Sequence, residues 1–275
     1  MKHLIDLAKS QPASPNEAPF AIYSSLKEQC ICNVPIVNPM LVLVLSGAKQ
    51  LGRGDPVTCH SGHFVFLSNT PDLDMRNIPN SEEYFAVLIE FEYGDFTPFQ
   101  PTEKRCKTNE STSTHSYVMG AIDGKLEKAL AQFFELPHFA TAEIIKLRKQ
   151  ELLWHIYLAG HQKIGTIAAP PSLSHQVQRL ISAEIAKDWS AQELAAKLCL
   201  SESTLRRKLK AEGTGLQILK NQLKLGYGLH LIQTTMGQIG LIAEQCGYQS
   251  QSRFTDQFKQ LFGMTPSELR KTRIK

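Results

Sequence analysis

Short apolar runs separated by turn residues are the main pattern of residues 21–93. The runs at residues 40–45, 64–67 and 85–91 are separated by segments that contain glycine, asparagine, aspartate and proline. Runs of this length between turn residues are typical of strands, and their spacing indicates a small sandwich or barrel. We therefore predict a β domain, which ends in a polar loop at residues 93–116.

Helical spacing replaces the strand pattern after this loop. Apolar side chains recur every three or four residues at 121–135 and again at 141–159. Leu136-Pro137 is predicted to end the first helix, and Gly160 to end the second. The pair has more apolar surface than one partner helix would cover, so it packs on the β domain or on another subunit. The candidate dimer contacts are Ile145, Leu152 and Ile156.

The remaining segments complete the predicted organisation. Pro170-Pro171 marks a linker, and the residues beyond it have helical spacing without a strand pattern. The fold class is therefore α+β, with a β-barrel or sandwich and a helical pair followed by an all-α domain. The predicted units are a loose N-terminus at 1–20, a β domain at 21–116, a helical pair at 117–164, a linker at 165–173 and a helical domain at 174–275.

Two short helices joined by a tight turn are predicted around residues 190–210. Ser190 and Glu193 form a capping box at the start of the first helix, and Ser201 caps the second. The second helix has an apolar face and an opposite face that is polar and basic. This is helix-turn-helix geometry, and the basic face suits phosphates and guanine edges. That face carries Ser203, Arg206, Arg207 and Lys210.

The same arrangement recurs closer to the C-terminus. An apolar stripe at residues 239–246 is followed by Gly247, which suits the left-handed position that ends a helix. Ser250 caps the next helix, in which Phe254 and Phe258 point inward. Two such units can place recognition helices in successive major grooves, ~34 Å apart, without dimerisation.

Charge is unevenly divided along the chain. Residues 1–173 have 15 Lys and Arg against 18 Asp and Glu, whereas residues 174–275 have 15 against 8. The net charge of the helical domain is therefore +7, whereas the net charge of residues 1–173 is −3. A basic surface favours a polyanionic partner, although an ordinary solvated face can have the same composition.

The C-terminal residues resemble the AraC/XylS family of transcriptional regulators over about residues 174–273. Leu194-Ala195 and Ser201-x-Ser203-x-Leu205-x-Arg207 match its first helix-turn-helix unit. The second match runs Ala243-x-x-Cys246-Gly247-Tyr248-x-Ser250-Gln251-Ser252-Arg253-Phe254-x-x-x-Phe258-Lys259-x-x-Phe262-Gly263-x-Thr265-Pro266-Ser267-Glu268-x-Arg270. With the pattern above, the resemblance implies DNA contacts by Ser201, Ser203, Thr204, Arg206, Arg207, Lys210, Ser250, Gln251, Ser252, Arg253 and Asp256.

Two features depart from the family pattern. Asp256 stands where a basic or neutral residue is common, so it either contacts a cytosine amino group or weakens that half of the interface. Gly226 and Gly228 interrupt the helix predicted at 217–234, which joins the two units. Each glycine costs a helix about 1 kcal/mol relative to alanine, so we expect loose coupling between the units.

The N-terminal body is similar to the cupin-like domain of a subgroup of AraC-type regulators. The similarity lies in Pro39 to Lys49, Gly62-His63-Phe64 and Arg148 to Ile156. It implies effector sensing, dimerisation, or both, without naming a ligand. An effector pocket would be apolar with a few polar groups. The candidate lining residues are Leu43, Leu45, Phe64, Phe66 and Phe85, each of which could equally be core.

No catalytic residue, metal or cofactor is predicted. Cys30-x-Cys32 and Cys59-His60-x-x-His63 do not have common zinc spacing, and the sequence has no G-x-S-x-G, Walker A or H-E-x-x-H motif. The longest apolar run is far shorter than the ~20 residues that span a bilayer, and the N-terminus does not resemble a signal peptide. We therefore expect a cytoplasmic protein that is not an enzyme.

These observations predict a sequence-specific transcriptional regulator, most simply an activator, that binds double-stranded DNA. The resemblance implies RNA polymerase as a second partner, and the N-terminal domain adds a small-molecule effector or a homodimer. The alternative is a cupin-type binding protein or enzyme with a basic helical tail.

Overall fold

The computed structural model describes residues 1–10, 18–68, 70–99, 117–138, 140–167 and 172–274. Most of the predicted polar loop at 93–116, part of the loose N-terminus and Pro170-Pro171 therefore lie outside the described residues. Where the loop begins, the chain forms a 3-10 helix over Tyr93–Phe99. Within the described ranges, no helix is long and apolar enough to cross a membrane.

Nine strands are described in the N-terminal body, in agreement with the predicted strand pattern. A five-stranded sheet has the order β1-β8-β3-β6-β9, and a four-stranded sheet has the order β2-β7-β4-β5. The strands are β1 (Ala21–Ser25), β2 (Gln29–Ile36), β3 (Met40–Ser46), β4 (Ala48–Leu51), β5 (Val57–His60), β6 (His63–Leu67), β7 (Thr70–Ile78), β8 (Tyr84–Glu90) and β9 (Tyr117–Ala121).

The two sheets form a sandwich, and the strands that the structure describes do not close into a barrel. Successive side chains of a strand point to opposite faces of a sheet. In β3, Leu41 and Leu43 accordingly face the helices, whereas Val42 and Val44 lie between the sheets. The six-residue apolar run of this strand therefore reflects burial on both faces.

Eleven helices are described, and their bounds differ locally from the predicted ones. The helix predicted from residue 121 begins at Gly124 because Tyr117–Ala121 pairs with β6 as a strand. The helices are α1 (Lys2–Lys9), α2 (Gly124–Glu135), α3 (Ala142–Leu158), α4 (Ile164–Ile167), α5 (Leu173–Ala183), α6 (Ala191–Lys197), α7 (Glu202–Ala211), α8 (Leu216–Thr234), α9 (Ile239–Gln245), α10 (Gln251–Phe262) and α11 (Pro266–Lys271).

The buried apolar residues that the structure describes form three clusters, which belong to different parts of the fold. The first joins α1, α2 and α3 to the outer face of the five-stranded sheet. The second fills the sandwich and continues into α8, α9, α10 and α11. The third lies within α5, α6, α7 and the first half of α8. The second half of the helical domain thus shares a core with the sandwich, whereas the first half has its own.

The candidate pocket residues Leu43, Leu45, Phe64, Phe66 and Phe85 lie in the first cluster. Each is at most 2% exposed, and all five point from the sheet toward the helices. They are packed core, and the cavity described below lies on the other face of the sheet. These residues do not line the cavity because successive side chains of a strand point to opposite faces of the sheet.

Two of the three candidate dimer contacts also lie inside the chain. Leu152 and Ile156 are 1% exposed and belong to the first cluster, and Ile145 packs against it. Leu152 and Ile156 therefore have little or no surface to offer a second chain in this conformation, whereas Ile145 is half-buried. The exposed apolar side chains of the same helix are Ile144, Leu147, Trp154 and Leu158.

Candidate nucleic-acid interface and adjoining cavity

The first helix-turn-helix unit consists of α6 and α7, and local hydrogen bonds set its ends. Ser190 Oγ accepts from the Glu193 amide at 3.1 Å, and Glu193 Oε2 accepts from the Ser190 amide at 2.8 Å. This is the capping box that the sequence predicts. Ser201 Oγ accepts from the Thr204 amide at 3.2 Å and starts α7. Between the helices, Cys199 has a left-handed φ of 55°, which turns the chain sharply.

The outer face of α7 is exposed, and only one of its two arginines forms an ion pair. Arg206 donates to Glu202 Oε1 from Nε at 2.9 Å and from Nη2 at 2.7 Å. Arg207, by contrast, has no ion pair with any residue that the structure describes. Leu205 and Leu209 on the inner face are fully buried in the third cluster. Arg207 is therefore the arginine of this helix that is free to bind a polyanion.

The second unit, α9 and α10, has a buried aromatic face. Phe254, Phe258 and Phe262 pack one against the next in tilted and edge-to-face pairs, with ring centroids 5.6 and 4.7 Å apart. Ser250 Oγ caps α10 by accepting from the Arg253 amide at 3.2 Å. The tight turn before it has Gly247 at φ 74°, where an added Cβ would lie 2.6 Å from the Ala186 carbonyl oxygen. The remaining surface of α10 exposes Gln251, Ser252, Arg253 and Asp256.

The connecting helix α8 explains the two glycines that depart from the pattern. A Cβ on Gly228 would lie 2.7 Å from the Phe254 ring and 3.3 Å from Cys246 Sγ. A Cβ on Gly226 would lie 3.1 Å from Pro35 Cγ. The glycines therefore allow α8 to lie close to α10 and to β2. The expected loose coupling is not what the packing shows, because close contact offsets the lower helix propensity.

Residues 194–272 match the family model of a helix-turn-helix domain. Together with the two capped units, this match decides the identity of the region. Residues 194–272 form an AraC-type helix-turn-helix domain. The resemblance inferred from the sequence is thus confirmed for this part of the chain.

Known proteins that match the AraC-type domain include transcriptional regulators of Escherichia coli. The chain is 35% identical over 94 residues to AdiY of strain K12, covering 34% of this chain and 37% of AdiY. It is 31% identical over 144 residues to GadX of strain CFT073, covering 50% of this chain and 52% of GadX. The matches thus span about half, or less, of the length of these relatives.

Solved structures extend the likeness to the N-terminal body. A ToxT variant from Vibrio cholerae has a TM-score of 0.66 and 15% identity, covering 93% of this chain and 97% of ToxT. Wild-type ToxT bound to an unsaturated fatty acid has a TM-score of 0.60 and 14% identity, covering 92% and 95%. At these identities the likeness concerns the fold, and it supports a β-sandwich body followed by the AraC-type domain.

A cavity of about 670 Å³ lies where the sandwich meets α5 and α8. Its walls are largely apolar side chains, among them Val42, Leu88 and Leu229. Its ionisable lining groups include Lys49, Glu90, Lys149 and His230. A volume of this order suits a small organic ligand. The cavity adjoins both Gly226 and the inner face of the sandwich, so it contacts the body and the AraC-type domain together.

Lys49 is the most unusual group in this cavity. It is 3% exposed, and its Nζ donates to Asn77 Oδ1 at 2.8 Å and contacts Met75 Sδ at 3.2 Å. Burial lowers the pKa of Lys49 to about 8, and the nearby Cys59 thiol acts in the opposite direction. Among the described residues no carboxylate pairs with it. A buried ammonium without a counter-ion is costly, which marks this group as a candidate for ligand binding.

Lys149, Tyr23 and His230 also line this cavity, and each has a polar partner. Lys149 Nζ donates to the Glu90 carbonyl oxygen at 2.7 Å, and burial raises the pKa of the Glu90 carboxyl. Tyr23 Oη lies 3.2 Å from His230 Nδ1, which joins β1 to α8. Burial lowers the pKa of His230. These contacts hold α3 and α8 against the sandwich.

The candidate metal ligands of the sequence do not come together. His60 and His63 are exposed, whereas Cys59 is buried on the opposite face of its strand. In the part of the chain that the structure describes, no group of three or more His, Cys, Asp or Glu could hold a metal ion. The burial of Lys49 is not predictable from the sequence, because a lysine in a four-residue strand has no local pattern that indicates burial.

Proposed function

We propose that this chain is a sequence-specific DNA-binding regulator of transcription that uses α7 and α10 as its two recognition helices. The observation that carries the proposal is the pair of capped helix-turn-helix units with exposed polar outer faces. The AraC-type match of residues 194–272 and the named regulators among the relatives support it. Two units on one chain suit two contacts in successive major grooves of one duplex.

The outer faces of the two helices suggest different roles. In α7, Arg207 is placed to bind a guanine edge bidentately, while Lys210 and the capping end at Ser201, Ser203 and Thr204 suit phosphates. Arg206 also becomes available for a DNA contact once its ion pair with Glu202 opens. In α10, Ser250, Gln251, Ser252 and Arg253 supply neutral and basic contacts, and Asp256 suits a cytosine amino group.

The cavity supports an effector role for the N-terminal body. ToxT, which shares this fold, has been solved with an unsaturated fatty acid bound. The cavity here is largely apolar, has a buried ammonium, and contacts both the body and α8. We propose that it binds a small organic effector that modulates DNA binding. The chain is thus a ligand-binding regulator and not an enzyme, and RNA polymerase is the partner through which it activates transcription.

Selection of bound fragments from genomic DNA tests the DNA-binding proposal. The purified full chain is expected to select one motif with two half-sites about one helical turn, ~34 Å, apart. Its affinity for that motif should fall steeply with salt, since several phosphate contacts release counter-ions. Sequence preference should persist at physiological ionic strength. Binding that is weak and equal on all fragments would instead favour the cupin-type alternative with a solubilising basic tail.

A homodimer is proposed through the exposed stripe of α3. Ile144, Leu147, Trp154 and Leu158 are 43%, 60%, 40% and 76% exposed. With Glu151 they have the alternating three- and four-residue spacing of helices that pack against an equivalent helix. The double variant Leu147→Glu, Leu158→Glu is therefore expected to be a monomer by analytical ultracentrifugation at concentrations where the parent chain is a dimer.

A matched control separates this effect from a general charge effect. Lys146→Glu places the same side chain on α3 outside the stripe, and it should leave the dimer in place. Thermal unfolding of all three chains shows whether the fold is retained. A parent chain that is monomeric at ~100 µM, well above the Kd of a stable dimer, would contradict the proposal.

A further inference from the structure

Two cysteine side chains project from the same face of β2. Cys30 and Cys32 alternate with Ile31, whose side chain is buried in the second cluster, so both thiols point away from that cluster. Both are free thiols, with Cys30 exposed and Cys32 half-buried. The two side chains are close enough to form a hydrogen bond with each other. The motif Cys30-x-Cys32 thus presents two neighbouring sulfur atoms, and the proposed function gives them no role.

An irregularity in the pairing of β2 with β7 fixes the position of Cys32. The next residue, Asn33, has a left-handed φ of 50° and interrupts the register. Its amide donates to Asp74 Oδ1 at 2.8 Å, and its Oδ1 accepts from Arg53 Nη2 at 2.9 Å. Its Nδ2 donates to the Leu261 carbonyl oxygen of α10 at 2.8 Å. These three hydrogen bonds restrain the chain next to Cys32, and a ligand held in place in this way binds more tightly.

Two guanidinium groups lie beside the pair of thiols. Arg76 is opposite Cys30 in the sheet register and interacts electrostatically with its thiol. Arg53 has the same kind of interaction with Cys32, and each arginine is held in place by a carboxylate. Positive charge favours the thiolate, which is the form of cysteine that binds metals. Burial, and then Asp74 and Cys30, raise the pKa of the Cys32 thiol, so a bound cation must displace its proton.

We infer that Cys30 and Cys32 form a two-coordinate site for a thiophilic monovalent cation, with Cu(I) as the ion that fits it. Thiolates are soft ligands that select Cu(I), whereas a structural Zn²⁺ takes four ligands. Among the described residues, no group of three or more His, Cys, Asp or Glu could hold an ion. Cys59, His60 and His63 belong to other strands and are no part of this pair.

The chemistry of the step is ligand exchange without oxidation. Two thiol protons pass to solvent, two sulfur–copper bonds form, and the complex has one net negative charge beside the two guanidinium groups. With metal–sulfur bonds of about 2.3 Å, the sulfurs on either side of one ion are roughly 4.6 Å apart. A disulfide would instead need them about 2 Å apart on residues of one strand, which is a larger departure from hydrogen-bond contact.

The site adjoins the C-terminal end of α10. A Cβ on Gly263, the left-handed residue that ends this helix, would lie 3.5 Å from Cys32 Sγ. Asn33 binds the Leu261 carbonyl oxygen from the same irregular segment of β2. An ion that holds Cys32 therefore also restrains the last turn of α10. The Gly263 amide, which donates to the Lys259 carbonyl oxygen at 2.9 Å, lies where this restraint can be measured.

Anaerobic titration of the full chain with Cu(I), in competition with the Cu(I) chelator bicinchoninate, tests the site. The parent chain should take Cu(I) from the chelator. Cys30→Ser and Cys32→Ser should each weaken the affinity more than about a hundredfold, since loss of an outer-shell partner alone costs roughly 10- to 100-fold. Cys199→Ser is the matched control, because it removes an exposed thiol from the first helix-turn-helix unit. Its affinity should stay close to that of the parent.

Several outcomes of the titration would overturn the site. These are retention of the parent affinity by both serine variants, an equal loss in the Cys199 variant, and no transfer of Cu(I) to the parent chain. Mass spectrometry of the denatured parent after titration should recover Cys30 and Cys32 as reduced thiols. A disulfide between them in place of bound copper would refute the assignment equally. Thermal unfolding shows that each variant is folded before its affinity is interpreted.

Hydrogen exchange followed by mass spectrometry tests the position of the ion beside α10. Bound Cu(I) should slow exchange in peptides that span residues 258–264 and leave peptides of α7, which packs in the third cluster, unchanged. Cys32→Ser should abolish this protection. Unchanged exchange at the end of α10 with copper bound would refute the restraint on that helix. None of these measurements uses DNA, so they remain decisive whether or not the proposed function holds.

Discussion

Replacement of Arg207 by alanine is expected to weaken binding to the selected DNA site by ~1–3 kcal/mol, or roughly 5- to 150-fold. Arg207 is exposed on the outer face of α7 and has no ion-pair partner among the described residues, so its guanidinium is free for a bidentate contact. Leu205 and Leu209 carry the packing of this helix, so the fold should be retained. Fluorescence anisotropy with the selected duplex and with a scrambled one measures the change and its specificity.

Two variants on the same helix act as controls for charge. Lys208→Ala removes the same charge from a different face of α7, and it should weaken binding equally for both duplexes and only slightly. Arg206→Ala should have a smaller effect than Arg207→Ala, because part of its charge is already neutralised by Glu202. Unchanged affinity of the Arg207 variant for the selected duplex would refute the assigned role of α7.

Replacement of Gly228 by alanine is expected to lower the free energy of unfolding by ~1–3 kcal/mol. The new Cβ would lie 2.7 Å from the Phe254 ring, which is fully buried and held between neighbouring aromatic rings. Alanine regains about 1 kcal/mol of helix propensity, but this gain does not offset the overlap in a close-packed core. Urea unfolding followed by circular dichroism measures the difference.

Gly226→Ala is the matched comparison, since it makes the same change two residues earlier in α8. Its Cβ would approach only Pro35 Cγ, at 3.1 Å, beside the cavity and not in the aromatic core. Its stability should therefore stay within about 1 kcal/mol of the parent chain, because helix propensity offsets a small shift of the proline. Equal losses at both positions would show that helix propensity, and not contact with Phe254, decides the cost.

The helical domain could be predicted in detail because its signals are local. A capping box such as Ser190 with Glu193, or the left-handed Gly247, involves residues within a few positions of each other. The apolar spacing that places Leu205 and Leu209 inward repeats every turn of one helix. The strand pattern likewise indicated a β body, since runs such as 40–45 are bounded by turn residues.

Other features required the packed chain. The faces of β3 could not be assigned from its unbroken apolar run, so Leu43 was a pocket candidate although it faces the helices. The same limit applied to α3, where burial of Leu152 and exposure of Leu158 depend on how the helix lies on the sheet. Gly228 is expected from the sequence to loosen α8. In the structure the Phe254 ring, from a distant part of the chain, occupies the space that a side chain at position 228 would fill.

Capping, periodicity and local charge are enough to predict a β body, two helix-turn-helix units and a basic outer face on α7. Lys49, Asn77, Gln29 and Gln233 become hydrogen-bonded neighbours only in the folded chain. Strand register places Lys49, Asn77 and Gln29 side by side, and the packing of α8 on the sandwich adds Gln233. The cavity beside them exists for the same reason, because its walls belong to segments that touch only after the whole chain has folded.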